Sequence, residues 1–133
     1  MNIFNRDKKF TWIAIFYLCL IFIQSSIPSQ YVPKMTILSY DKLIHAGIYF
    51  VAAVLMYLAL REHDYIKTIR TEWLALILTV FFGFTDELHQ YFVQGRHASF
   101  WDFIADTIGA IFGIVVISGI IKRQKLNQAK KAG

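Results

Sequence analysis

The residues able to do chemistry fall in three short groups. Asp41, Lys42, His45 and Tyr49 stand together, as do Asp86, Glu87, His89 and Gln90; after Arg96 come Asp102 and Asp106. Asp41, His45 and Tyr49 are spaced i, i+4, i+8 and share one helical face. Glu87 and Gln90 are i, i+3, with Gly83 one turn earlier. Asp102 and Asp106 are i, i+4, and Gly109 and Gly113 prolong nearly the same stripe. Such a set suits proton transfer: Glu87 as general acid or base, with His45 oriented by Asp41 one turn before it. Asp102 and Asp106 are the pair to hold a hard divalent cation or to position water, with Asp102 also a candidate catalytic group. Lys42 and Arg96 suit a phosphate or carboxylate, with Tyr49 and Gln90 as further substrate contacts. No nucleophile stands out, because Ser25, Ser26 and Ser99 have no adjacent histidine in the sequence, and there is no HExxH pattern.

The elements that must carry these residues are strongly apolar. Of 133 residues 56% are hydrophobic and only 17% charged, against roughly a quarter charged in an ordinary soluble domain. The mean hydropathy of +0.46 points the same way. The single cysteine, Cys19, excludes a disulfide scaffold, and the apolar and aromatic content excludes disorder. Apolar runs long enough for a bilayer, about 20 residues each, predict helices over about 10–27, 41–61, 72–94 and 100–121, followed by a basic tail over 122–133. The fold expected is all-α: an integral membrane four-helix bundle in one domain. A signal peptide is the alternative reading of the first run, which follows Lys8 and Lys9.

Orientation comes from the basic residues. Arg6, Lys8 and Lys9, then Arg61, Lys67 and Arg70, then Lys122, Arg123, Lys125, Lys130 and Lys131 gather on one side; Lys34, Lys42 and Arg96 remain for the other. The positive-inside rule puts both termini in the cytoplasm. The expected location is therefore the cytoplasmic membrane, multi-pass, with the polar groups facing the extracytoplasmic side. The basic tail reads as a topology and anionic-lipid signal, with no nucleic-acid partner.

The three groups then lie at one depth, in the outer third of the bilayer. An ionisable side chain there costs about 2.5–3.5 kcal/mol on insertion scales and faces partners in the bundle interior. Asp41, Asp86, Glu87, Asp102 and Asp106 outnumber the fixed cations Lys42 and Arg96. That surplus suggests protonated carboxyls, a bound divalent cation or a positively charged substrate. An ion-pair network that only sets helix packing is the competing reading. Asp86 and His89 turn about 100° from the Glu87–Gln90 stripe and read as interfacial residues, while Gly109 and Gly113 read as a packing pair.

Four motifs in order resemble the VanZ-like family. They are Ser25-Ser26-Ile27-Pro28; Asp41-Lys42-x-x-His45-x-x-x-Tyr49; Glu87-x-x-Gln90 with Arg96; and Asp102-x-x-x-Asp106-x-x-Gly109-x-x-x-Gly113. The resemblance implies a small bacterial multi-pass membrane protein of the cell envelope, whose founding member is linked to teicoplanin resistance, a glycopeptide phenotype. It carries the family's polar signature onto Asp41, Lys42, His45, Tyr49, Glu87, Gln90, Arg96 and Asp102. The family commonly has asparagine where this chain has Asp106, which adds a carboxyl here. Two functions follow: an enzyme acting on an envelope lipid or lipid-linked precursor, or a non-catalytic protein that binds a headgroup or glycopeptide through the same site. A transporter fits less well, because the inner halves of the runs are apolar.

Overall fold

In the computed structural model the described residues are 8–31, 38–63 and 70–132. Among them are four helices, α1 (Lys9–Ser25), α2 (Leu38–Arg61), α3 (Thr71–Tyr91) and α4 (Phe100–Ala132), with a short 3-10 turn at Ser29–Tyr31. No strand occurs among the described residues. Arg6, Lys34 and Lys67, used above for orientation, lie outside them.

The helix ends have local causes. Pro28 disfavours helical geometry in the residue before it, and α1 stops at Ser25, with the Ser26 hydroxyl donating back to the Phe22 carbonyl at 2.7 Å. Ser99 caps α4: its carbonyl and hydroxyl both accept from the Asp102 amide, at 3.0 and 3.3 Å. The sequence reading ends the fourth helix at 121, but α4 runs on to Ala132. Residues 122–132 contain no glycine or proline and are rich in lysine, glutamine and alanine, all strong helix formers. At 33 residues, α4 is about 50 Å long.

α2 lies at the centre and packs on all three other helices, most extensively on α4. The α2–α4 contact is parallel and very close. A Cβ at Gly109 would collide with the Ala46 carbonyl and come within 2.8 Å of the Ala46 Cα; one at Gly113 would lie 2.5 Å from the Phe50 carbonyl oxygen. The expected small-residue stripe therefore lets two backbones meet. One core cluster forms beyond this contact from Ala53, Tyr57, Ala75, Ala110 and Ile114. A second gathers Ile21, Tyr49 and Ala52 between α1 and α2.

The surface is apolar where a soluble bundle would be polar. Ile77, Phe81 and Phe112, all mid-helix, are 60%, 63% and 63% exposed. The buried list instead includes Ser25, Thr79, Asp86, Glu87, Gln90, Asp106 and Ser118. Two helices, α2 and α4, are long and apolar enough to cross a membrane, and 28% of each apolar stretch is buried inside the bundle. α1 is apolar but shorter, at 17 residues.

At the end of the bundle away from Gly109, α1 begins without a side-chain cap of its own. Glu62, just past α2, supplies one across the chain. Its carboxylate accepts from the Phe10 amide at 2.8 Å, the Thr11 amide at 2.9 Å and the Thr11 hydroxyl at 2.8 Å. Desolvation works against its charge, but these donors, with His63, outweigh it and hold the carboxyl below the ordinary glutamate range.

Two stability predictions follow from these contacts. Gly109→Ala should lower unfolding stability by about 2 kcal/mol or more, because the neighbour it meets is backbone. Gly47→Ala on α2, where nothing lies within 4 Å, should be neutral or stabilising by up to about 1 kcal/mol; thermal unfolding in detergent reads both. For Glu62 the folded pKa lies below the unfolded one. Its stabilisation is then complete above the ordinary glutamate value of about 4.3 and disappears as pH falls through the folded value. The melting temperature of Glu62→Gln should trail the parent at neutral pH and converge with it in acid.

Candidate functional site

The parallel register of α2 on α4 pairs the first turns of the two helices. Lys42 Nζ bonds Asp102 Oδ1. One turn deeper, His45 Nδ1 lies 3.0 Å from Asp106 Oδ1. Next to His45, Ala46 meets Gly109, three residues beyond Asp106, backbone to backbone. Lys42 is a third exposed, whereas the Asp106 side chain is 2% exposed, so the pairs run from a wet rim to a dry interior. Asp41 stays exposed at that rim.

α3 closes the site with its C-terminal turns. Glu87 Oε2 accepts from the Ser99 amide at 2.9 Å. Asp86 Oδ2 accepts from the Ser25 hydroxyl at 2.9 Å and from Gln90 Nε2 at 3.1 Å. Tyr49 is buried with its ring against Gly83, where a Cβ would lie 3.1 Å away. Its hydroxyl feels the charges of Asp86, Asp106 and Glu87, yet makes no hydrogen bond of ordinary geometry. Asp86 Oδ1, Glu87 Oε1 and Asp106 Oδ2 are also buried without a hydrogen-bond partner among the described residues.

Among the described residues two metal-competent triads result, and His45 belongs to both. Asp41, His45 and Asp102 form the outer one; His45, Glu87 and Asp106 form the inner one, each with ligand atoms within 4.8 Å of one another. Asp102 and Asp106, expected as a pair, therefore sit in different triads.

Arg96 goes elsewhere. Its Nε donates to the Ile27 carbonyl and its Nη2 to the Gln24 carbonyl, both at 3.0 Å. It caps the C-terminus of α1, where a cation meets the negative end of the helix. His89 Nε2 is 3.0 Å from the Ser26 hydroxyl, a serine–histidine contact that the sequence does not show. That hydroxyl donates to the Phe22 carbonyl, so His89 donates to it and does not activate it. The His89 ring also stacks on Phe22 at 4.4 Å.

Beside Glu87 a cavity of about 280 Å³ opens between α3 and α4, lined by Phe84, Leu88, Ala98, Ser99, Phe100 and Phe103. A larger one, about 540 Å³, lies toward Arg70 and Lys122 at the opposite end and contains none of these groups.

The sequence profile described as VanZ/LLP1 matches residues 10–122. The chain belongs to the VanZ/LLP1 family. No curated protein and no solved structure matches it. In this VanZ/LLP1 chain the groups brought together are Lys42, His45, Tyr49, Glu87, Gln90, Asp102 and Asp106, with Asp41 at the edge.

Two members are new relative to the sequence reading. Asp86 is 3% exposed and central, not interfacial. Ser25, set aside above as a nucleophile, is its partner. The signal was present in α3, whose buried positions are Ala75, Thr79, Gly83, Asp86, Glu87 and Gln90. That is a stripe at i, i+4, i+8, i+11, i+12, i+15, wide enough for adjacent acids to share.

The adjacent serines at the end of α1 give a contrast that tests this network. Ser25→Ala removes a buried bond to a carboxylate and should cost about 1.5–3 kcal/mol of unfolding stability. Ser26→Ala, on the exposed side, should cost less than about 1 kcal/mol.

Proposed function

We propose that this VanZ/LLP1 protein is a multi-pass protein of the cytoplasmic membrane with both termini in the cytoplasm. Its polar site faces the extracytoplasmic side and binds or acts on a cell-envelope lipid or lipid-linked precursor. The observation that carries the reading is the slot beside Glu87. Its walls, Phe84, Leu88, Phe100 and Phe103, are apolar, and it leads from the outer surface of α3 and α4 to a buried carboxylate. An acyl or polyprenyl chain fits such walls, and a headgroup then reaches the polar cluster.

The inverted surface supports the bilayer. Mid-helix phenylalanines and isoleucines on the outside are costly in water and ordinary against lipid. Four spans are consistent with it, although α3 carries acids and α1 is short: acids near a helix end that face protein do not contact hydrocarbon. Placing the termini inside puts the basic end of α4, with Lys122 and Arg123, at the anionic cytoplasmic surface.

Roles follow from the geometry. Lys42 at the rim is the cation that an incoming phosphate meets first, since Arg96 holds the end of α1. Glu87, at the inner end of the slot, is the general acid or base, and His45, held by Asp106, shares proton transfer. Altered teicoplanin or other glycopeptide susceptibility would be a downstream effect of a changed envelope precursor.

Two measurements test this. In a Cys19→Ser background, Ala98→Cys should react with an impermeant maleimide on intact cells, and Lys131→Cys only after permeabilisation; the reverse pattern overturns the orientation. Lipid retained by the purified protein, read by mass spectrometry, should fall about tenfold or more in Glu87→Gln and His45→Ala at unchanged expression, equivalent to at least 1.4 kcal/mol. Loss of folded protein in both variants would instead make the cluster a structural network.

A further inference from the structure

Three helices deliver one ionisable group each to a single point: His45 from α2, Glu87 from α3 and Asp106 from α4. Glu87 is 6% exposed and Asp106 2%. Even so, Glu87 Oε1 and Asp106 Oδ2 have no hydrogen-bond partner among the described residues. A buried carboxylate oxygen left unpaired is strongly disfavoured. The nearby cationic side chains are engaged elsewhere, Lys42 with Asp102 and Arg96 with the carbonyls of Gln24 and Ile27.

The geometry points to a divalent metal ion of the zinc or manganese class, held by His45, Glu87 and Asp106. The spacing fits. His45 Nδ1 and Asp106 Oδ1 are 3.0 Å apart. Two ligands on one ion, each bonded at about 2.0–2.1 Å and separated by 90–110°, lie about 2.9–3.4 Å apart. The ion displaces the hydrogen between nitrogen and oxygen and sits to one side of the line joining them, and Glu87, within 4.8 Å of both, closes on it by a side-chain adjustment.

The donor set selects the metal class. One imidazole with two carboxylates suits a borderline ion, whereas calcium takes six to eight oxygens. Three protein ligands leave a coordination position for water or a substrate oxygen, the arrangement of catalytic rather than structural sites. Outer contacts hold the ligands in place: the Ser99 amide fixes Glu87 Oε2 at 2.9 Å, in the manner of supporting shells at metal centres. The outer triad of Asp41, His45 and Asp102 competes poorly, because Lys42 already neutralises Asp102 and Asp41 is exposed.

The test uses the full chain purified in detergent without chelator, incubated with Zn²⁺ or Mn²⁺, desalted and analysed for metal. Near one ion per chain is expected. At a hundredfold excess over Kd the melting temperature should rise on the order of 10 °C. His45→Ala and Asp106→Asn should each weaken binding about a hundredfold or more, and Glu62→Gln, an acid removed at the other end of the bundle, should leave it unchanged. Less than about 0.1 ion per chain with an unshifted melting temperature overturns the proposal, as does equal binding by His45→Ala and Asp106→Asn. Should those variants fail to fold, X-ray absorption of the zinc-loaded parent decides: a shell with one imidazole and the rest oxygen supports the site, and an all-oxygen or sulfur-containing shell overturns it. With the ion bound, His45 and Glu87 serve as its ligands in place of the proton-transfer roles given to them above, and the lipid reading is tested separately. An ion without retained lipid leaves the metal proposal intact, and retained lipid without an ion removes that proposal alone.

Discussion

The close parallel contact of α2 on α4 fixes everything else in this bundle. Gly109 and Gly113 let α4 approach the backbone of α2 at Ala46 and Phe50, and at that separation helices cannot slide past one another without collision. The register so set puts Asp102 opposite Lys42 and Asp106 opposite His45. A shift of one residue would rotate either acid by about 100° and out of the pair. The glycines thus act on chemistry at a distance, through register and not through contact with the site.

The remaining helices complete what that contact begins, and each is tied at its ends. α3 brings Asp86, Glu87 and Gln90 against the α2–α4 seam, with Gly83 leaving room for Tyr49. α1 is anchored at one end by Glu62 and at the other by Arg96. These are reciprocal devices: an acid at the amide-rich start of a helix and a guanidinium at its carbonyl-rich end, each complementing the helix dipole. Ser25 then carries the α1 end into the polar cluster through Asp86. The helix that contributes least polar chemistry is held most explicitly by polar bonds, because its 17 residues bury little else.

Much of this was legible in the sequence where a single helical period was enough. The shared face of His45 and Tyr49, the Asp102–Asp106 spacing and the Gly109–Gly113 stripe all follow from 3.6 residues per turn. What was not legible depends on where one chain segment meets another. Arg96 reads as an anion-binding residue until the loop returns it to the end of α1. Asp86 reads as turned away from the narrow Glu87–Gln90 stripe, but the buried face of α3 is wide enough for both acids, Asp86 meeting Ser25 of α1 and Glu87 the Ser99 amide before α4. Glu62 reads as an ordinary acid in a polar loop, and its role as the cap of α1 depends on a partner more than fifty positions away. The continuation of α4 to Ala132 was masked by taking the end of the apolar run as the end of the helix, although helix formers continue beyond it.

The polar groups of the interior are satisfied unevenly. A network evolved only for packing would satisfy its members, since a half-satisfied buried network is worse than an apolar core. Here the rim obeys that rule and the interior does not. Lys42 neutralises Asp102, while Tyr49, Asp86, Glu87 and Asp106 each keep a buried oxygen without a hydrogen bond of ordinary geometry among the described residues. Replacing these groups by leucine or alanine would be cheaper for folding alone, because buried ion pairs seldom exceed their hydrophobic substitutes in stability. Their shortfall lies at one place, on three helices, next to a slot with apolar walls. A packing network alone leaves that concentration unexplained, and the binding role proposed above accounts for it.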